Sequence, residues 1–454
     1  MAQQIIIKGT AVVAANEVLV ADSNSKIPAV DGSAVTAMAG GNITGTIPTA
    51  RLDTGTTANK LVVIGGSGLP AVDGSLLTGI VSHTTSASDP TISTNPSSGV
   101  GAEWINSTSG KQFICTDATA GANVWTCSGG GSGNVQPYWY QGSAYGYVCG
   151  GYEWPAPGNR REPDIDEFSF TTDGNATDVG DIPTGNPGRS AGTTNSSPTH
   201  LHYSGGYGPG AFSPNTTNNI ERMSFVSKGT MVNVGDLVHW IRGQGSSGNE
   251  NYGYQHGGYR AVSDPSGPAT AYNVIWRFQY AASSNATDVG DLLNNADDPG
   301  GCSDPANAYG YSVGGCCPTN TIQRYAMVSS GNAADVGDLT VSHYQPASSS
   351  SLTHGYRSGN SHATPHTKNI DKFAFASTGN ATDIGDLIEP ASSATGQSST
   401  THGYSTGGGW SGGPYGQAGS KRIEKYSHVS NANATSVGDM TINRNTAGPV
   451  GGQV

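Results

Sequence analysis

A Gly-Asp dipeptide returns six times across the C-terminal part of this chain, and that recurrence constrains its fold more than any other feature. It stands at Gly180-Asp181, Gly235-Asp236, Gly290-Asp291, Gly337-Asp338, Gly385-Asp386 and Gly438-Asp439, at spacings of 55, 55, 47, 48 and 53 residues. A period of about 50 residues marks a repeat architecture. A second landmark is an aromatic pair around glycine, followed by two glycines. Tyr145-Gly146-Tyr147 precedes Gly150-Gly151, and Tyr252-Gly253-Tyr254, Tyr309-Gly310-Tyr311 and His402-Gly403-Tyr404 repeat the pattern; His200-Leu201-His202 and His354-Gly355-Tyr356 vary it. The third landmark is a segment opening on Ile with large residues at its fourth and sixth places. It reads Ile165 with Phe168 and Phe170, Ile220 with Met223 and Phe225, and Ile275 with Phe278 and Tyr280. It continues as Ile322 with Tyr325 and Met327, Ile370 with Phe373 and Phe375, and Ile423 with Tyr426 and His428.

Alternate side chains of a strand point to opposite faces. The fourth and sixth places therefore share one face and Ile the other, so both faces carry packing residues. That pattern predicts sheets sandwiched between neighbours, and a six-fold, 50-residue all-β unit predicts a β-propeller-like domain of six blades. A last glycine pair, Gly451-Gly452, reads as a closing strand beside the first blade. A β-solenoid is the main alternative, with coils that are usually shorter. Composition agrees with an all-β chain: Gly is 67 of 454 residues, and Gly, Ser, Thr and Asn are poor helix formers. Only 12% of residues are charged, yet 20 Tyr and 7 Trp are present, which separates this chain from disordered ones.

Three regions are expected. Residues 1–82 form a fibrous head in which Pro28-Ala29-Val30-Asp31-Gly32-Ser33 recurs as Pro70-Ala71-Val72-Asp73-Gly74-Ser75. Its few large side chains make a poor monomeric core, which predicts winding with copies of itself, most simply as a homotrimer. Residues 83–133 form a small β module and linker, with Trp104, Phe113 and Trp125 as its core. Residues 134–454 hold the six repeats. Cys115 and Cys127 flank the turn Ala120-Gly121-Ala122-Asn123 and are the candidate disulfide; two small buried thiols is the other reading.

Little in the chain carries catalysis. Thr199-His200, Thr353-His354 and Thr401-His402 look catalytic in isolation, but Tyr145, Tyr252 and Tyr309 fill the same register, which points to packing and hydrogen bonding. His200 with His202, and His362 with His366, are spaced to hold a metal across a symmetry axis, but the expectation is that no metal is bound. The Asp-Val-Gly-Asp segments lack the alternating ligands and terminal Glu of a calcium loop. Arg222, Arg277, Arg324, Lys372 and Lys425 recur on the Ile strand, and the Gly-Asp carboxylate is their expected partner. No nucleophile elbow, phosphate loop, dinucleotide fingerprint or zinc-protease motif occurs. No catalytic residue and no cofactor is expected.

The segments between the Gly-Asp strand and the next aromatic strand read as variable in length. Variable connections on a rigid repeated frame are where binding resides. Tyr252, Trp410 and Tyr415, aromatics flanked by Gly or Asn, are the candidate binding residues, suited to stacking on a sugar. A formal net charge of −12 argues against nucleic acid as partner. No run of 18 apolar residues occurs, so no membrane insertion is expected. The start of the chain lacks the charged leader and apolar stretch of a signal peptide, which predicts synthesis in a cytoplasm without ordinary export.

The segments Gly45-Thr46-Ile47-Pro48-Thr49-Ala50-Arg51-Leu52-Asp53 and Pro70-Ala71-Val72-Asp73-Gly74-Ser75-Leu76-Leu77-Thr78 resemble repeated segments of tailed-bacteriophage tail fibres. Glu103 to Gly110 with Ala118 to Trp125 resembles a small module common in phage fibre proteins. The Asn-Ala-Thr-Asp-Val-Gly-Asp-Leu array resembles virion proteins of phages infecting marine cyanobacteria. The resemblance implies a virion fibre protein, made in the host cytoplasm and exposed on the particle exterior. It implies a trimeric shaft, contacts with other tail, collar or capsid proteins, and a distal domain that binds a glycan or protein of the host surface. A purely structural fibre binding only virion partners, and a tailspike-type glycan hydrolase, are the rivals. The chain is short for a long tail fibre, which keeps short-fibre, tail-tip, collar and head positions open. No catalytic residue transfers.

Overall fold

Each Gly-Asp repeat folds as a four-stranded antiparallel sheet, because its alternating small and large residues suit a pleated surface and its Gly pairs interrupt it at turns. In the computed structural model of the chain the described residues are 83–128, 138–153, 160–183, 191–207, 216–260, 270–304, 306, 308–315, 319–360, 367–410, 418–445 and 450–454. The head repeats of residues 1–82, Cys316, Cys317, His362, His366 and Tyr415 lie outside them. The chain divides into two units, Met1–Thr85 and Ser86–Val454. Among the described residues the fold is all-β, and no helix is long and apolar enough to cross a membrane.

The small module pairs Glu103–Asn106 with Gln112–Asp117, and that strand with Val124–Cys127. Phe113, Cys115 and Trp125 form its core, with Trp104 set edge-on to Trp125 at 5.9 Å, as the sequence predicts. The two candidate cysteines are not bonded to each other in this structure. The register places Trp125 opposite Cys115 and Phe113 opposite Cys127, so the two thiols sit on a diagonal instead of facing each other. A bulge at Cys115–Asp117 removes the symmetry that the turn suggests.

Six sheets follow. The second is Thr193–Ser196, His200–Ser204, Asn219–Ser224 and Val232–Asp236. The third, fourth, fifth and sixth repeat this meander, with first strands Gly245–Gly248, Gly300–Asp304, Ala347–Ser350 and Ser392–Ser398. The first sheet is made differently. Its first strand is the C-terminal Gly452–Gln453, paired antiparallel with Tyr145–Cys149 and followed by Asp164–Ser169 and Thr177–Asp181.

Six hydrophobic cores lie between consecutive sheets rather than within any one. Between the fourth and fifth, Tyr311, Ile322 and Leu339 meet Phe373 and Phe375. Between the sixth and first, Tyr404, Ile423 and Met440 meet Phe168 and Ala176. The Ile of each repeat packs toward the next sheet, and the fourth-place residue packs toward the previous one. Both faces of each sheet are buried, which is the two-sided pattern read from the sequence.

The recurring glycines have two steric causes. In the Tyr-Gly-Tyr strand the glycine stands opposite the fourth-place ring. A Cβ on Gly355 would lie 2.2 Å from the Phe373 ring, and one on Gly253 would lie 2.5 Å from Phe278. The second sheet carries Met223 in place of the ring, and there the opposite position is Leu201. The Gly of Gly-Asp meets the next sheet's backbone instead: a Cβ on Gly290 would lie 2.1 Å from the Gly331 carbonyl oxygen.

The Asn-Ala and Gly-Asp dipeptides are two halves of one clasp. Asn285 Oδ1 accepts the Asp236 N–H at 3.0 Å while the Ala286 N–H donates to the Asp236 carbonyl at 2.8 Å. Asn332, Asn380 and Asn433 repeat the bond to Asp291, Asp338 and Asp386, and Asn175 makes it to Asp439, from first sheet to sixth. The second sheet has Thr230 and Met231 at these places, and the Met231 N–H still bonds the Asp181 carbonyl at 2.8 Å. Two residues before five of the six glycines, Asp or Asn turns its side chain onto the glycine N–H, as Asp288 does to Gly290 at 3.1 Å; Ser436 stands at that place before Gly438. These carboxylates are thus turn-formers at a bulge.

The expected ion pair between the Ile-strand cation and the Gly-Asp carboxylate is absent among the described residues. Arg277 pairs across to Thr287, whereas Asp291 stands opposite Val274, three residues along. At about 3.3 Å per residue that is too far to bridge. Arg277 lies over the Tyr252 ring at 4.7 Å and Arg324 over Tyr309 at 4.5 Å instead, while Lys425 pairs with Asp173 at 2.6 Å.

Candidate functional site

In an antiparallel meander, the first-to-second and third-to-fourth connections leave from one end, and the other connections leave from the opposite end. The six sheets therefore present two faces of different character. On the first, here the turn face, the third-to-fourth connections are 170–176, 225–231, 280–286, 327–333, 375–381 and 428–434, all of one length. On the second, the loop face, the second-to-third connections range from 314–318 to 257–273. The fourth-to-first connections of the third, fourth and fifth sheets, from Asp236 to Gly245, Asp291 to Gly300 and Asp338 to Ala347, are again of one length. Most of the varying spacing of the Gly-Asp dipeptides is thus set after the aromatic strand, and a smaller part before it, as between Asp181 and His200, where the sequence reading has it. First strands and connections are hard to separate in sequence when the strand is as small and polar as Gly245–Gly248.

The candidate aromatics do not come together. Tyr252 opens the second strand of the third sheet, at the turn face, half-buried beneath Arg277. Trp410 closes the second strand of the sixth sheet, at the loop face. Tyr415 lies outside the described residues.

The Thr-His pairs all sit in first-to-second turns. Thr199 Oγ1 meets His200 Nδ1 at 2.7 Å, and Ser197 Oγ accepts the His200 N–H at 2.9 Å. Thr353-His354 and Thr401-His402 do the same over Ser351 and Ser399. Each is a turn motif in which, among the described residues, no carboxylate is hydrogen-bonded to the imidazole. The rings of His200 and His202 are 6.4 Å apart. Among the described residues no group of three or more His, Cys, Asp or Glu is placed to hold a metal ion.

At the loop face a left-handed residue stands at the start of five of the six first strands: Ala191, Gly243, Asp298, Gln345 and Ser393, with φ between 50° and 63°. The N–H of each of the last four donates to the carbonyl of the one before, at 2.7, 2.8, 3.2 and 3.0 Å. Four of the five are not glycine, and each such residue costs about 1–3 kcal/mol. The bonded series holds them in place. Nothing in the sequence marks these positions, because Ala, Asp, Gln and Ser share no side-chain property that requires a left-handed backbone.

Beside that series, Arg242 lies over Tyr259 at 4.7 Å and Tyr207 at 5.3 Å, and pairs with Asp297 at 3.2 Å and Asp298 at 3.5 Å. Burial and the neighbouring Asp298 carboxylate push the Asp297 carboxyl up to about 7, against the pull of Arg242. The cluster can hold a proton near neutrality, but among the described residues no Cys stands within it. It reads as a buried charge network that shapes the loop face.

The first strands themselves meet edge to edge. Ser303 Oγ accepts the Gly248 N–H at 2.9 Å, Ser350 Oγ that of Ser303 at 3.0 Å, and Ser398 Oγ that of Ser350 at 2.8 Å. Gln453 Oε1 accepts the Ser398 N–H at 3.4 Å, and Ser196 Oγ accepts that of Gln453 at 2.9 Å. Asn195 completes the series by donating to the Ser247 carbonyl at 2.7 Å. Residues 138–142 lie against these strands at the turn face: Gln141 Nε2 donates to the Ser350 carbonyl at 3.0 Å and the Gly142 N–H to that of Ser398 at 2.8 Å. Residues 138–142, the first described residues of the repeat region, thus lie at the turn face. No protein-family model matches the chain, and comparison with curated proteins finds no match.

Proposed function

We propose that the six sheets are the blades of a β-propeller, closed by the C-terminal strand, and that the chain is a phage virion fibre protein that attaches to the host cell surface. Six interfacial cores and the Asn175–Asp439 clasp between the sixth and first sheets support the closed ring. The observation that carries the functional reading is the asymmetry of the two faces. Length variation is concentrated at the loop face, while residues 138–142, the first described of the repeat region, lie at the uniform turn face. A domain delivered on a shaft meets its target with the face turned away from that shaft, and connections there are free to vary because no neighbouring sheet constrains them.

In this reading the loop face, with Trp410 on its rim, takes the host glycan or protein, and residues 1–82 gather the chains into a trimer. The protein is non-enzymatic and exposed on the particle exterior. Adsorption of labelled full-length protein to a panel of bacterial cells, with Trp410→Ala alongside, tests it. Binding to a cell type, weakened by the substitution, is expected. Adsorption to no cell type together with binding to purified virion proteins would replace it with a purely structural fibre. Light scattering of the full chain tests assembly, and a monomer at micromolar concentration would remove the trimer.

A further inference from the structure

A cleft opens at the turn face, beside the first strands, with a volume of about 450 Å³. Tyr138, Trp139, Gln141, Ser196, Pro198 and Glu250 line it. Three of its features point to a ligand. Trp139 is 51% exposed, a large apolar ring left in water where Tyr140 beside it is buried. Gln141 is only 5% exposed, and while its Nε2 is held by the Ser350 carbonyl, its Oε1 has no partner. A buried acceptor without a donor costs about 1–3 kcal/mol, so a ligand O–H or N–H that reaches it recovers that cost on binding. Finally, among the described residues no Lys, Arg or His lines the cleft, and the one charged side chain there is the exposed carboxylate of Glu250.

We infer that this cleft is a binding site for an uncharged saccharide, with one sugar face stacked on Trp139 and its hydroxyls set against the Gln141 amide and the Glu250 carboxylate. The volume lies within the ~300–1,000 Å³ of small-molecule sites. An indole face suits the C–H side of a pyranose, and hydroxyl donors match both Gln141 and Glu250. An acidic sugar would bring a second negative charge beside Glu250 with no cation to offset it. The inference goes beyond host attachment through the loop face and does not depend on it, because Trp410 and Trp139 lie at opposite faces.

Titration calorimetry and saturation-transfer NMR on the full-length chain test it, using glucose, galactose, mannose and N-acetylglucosamine, with galacturonate as the charged control. At least one neutral sugar is expected to bind saturably, and galacturonate about tenfold more weakly or not at all. Trp139→Ala should weaken the binding by about tenfold, equivalent to 1.4 kcal/mol, while Trp139→Phe stays within about threefold. Trp410→Ala should leave it unchanged. Absence of binding by all four neutral sugars would overturn the inference, as would equal binding of galacturonate or indifference to Trp139→Ala. Cell adsorption that survives Trp139→Ala bears only on the loop face, so the two readings fail separately.

Discussion

Arg444 and Asp166 form an ion pair at 2.9 Å with both side chains fully buried, joining the sixth sheet to the first. The Arg444 Nη1 also donates to the carbonyls of Gly150 at 2.8 Å and Asp164 at 2.7 Å, and Thr441 Oγ1 donates to the carboxylate from the other side. Removing one partner of a buried pair leaves an uncompensated charge, at a cost of about 3–5 kcal/mol. Arg444→Ala should lower the denaturant midpoint accordingly. Because the pair joins the sheets that begin and end the series, limited proteolysis should open the substituted protein first within those two sheets. Cleavage distributed evenly over all six sheets would contradict this.

Phe373 lies 3% exposed between the fourth and fifth sheets, 5.4 Å from Tyr311. Phe373→Ala should cost ~3–5 kcal/mol through lost transfer and cavity terms, and a loss below about 1 kcal/mol would refute the packed interface. The glycine opposite gives a sharper test. Gly355→Leu should be severely destabilising, and Phe373→Met should relieve most of that in the double variant, reproducing the Leu201–Met223 pairing of the second sheet. A double-mutant cycle on chemical denaturation measures the coupling, and additive effects would contradict the steric account.

His202 and His256 are buried without charge, and burial pulls the first down to about 3 and the second to about 4. The unfolded chain titrates at the ordinary value near 6.5, so between about pH 6.5 and 4 it binds protons that the folded chain does not. Their contribution to stability is full above pH 6.5 and falls as the pH drops toward 4, by at most ~1.4 kcal/mol per pH unit for each. In five other sheets Tyr occupies the His202 position; three of them, Tyr254, Tyr311 and Tyr356, donate to a carbonyl of the next sheet. His202→Tyr should therefore fold and flatten the acid slope. Denaturant midpoints measured from pH 7 to pH 4 decide it, and an unchanged slope would count against the argument.

Among the described residues Arg242 is the one cation paired with both Asp297 and Asp298, and its side chain is 17% exposed. Arg242→Leu should leave two carboxyls in a poorly solvated site, raise the apparent pKa of Asp297 above its present value near 7, and destabilise the protein by about 3–5 kcal/mol at pH 8. Because a protonated Asp297 no longer needs its partner, the loss should shrink on lowering the pH to 6. Equal losses at both pH values would show that Arg242 acts through its stacking on Tyr259 and Tyr207 alone.

The sequence by itself determined the repeat, its all-β character and the two-sided packing of the Ile strand, because a strand whose alternate faces both carry large side chains can be buried in only one way. It also held the Gly-Asp and Asn-Ala recurrences in plain view. Their meaning needed the tertiary structure: Asn285 and Asp236 are 49 residues apart, and a clasp between neighbouring sheets leaves no trace in local spacing. The cation partners were misread for the same reason. Arg277 and Asp291 belong to adjacent strands, and only the register shows them three residues out of step. The left-handed residues from Ala191 to Ser393 and the cleft at Trp139 were invisible to sequence altogether. Both arise where first strands converge from six separate repeats, so the property that defines each site belongs to the arrangement of the backbone and to no one residue type.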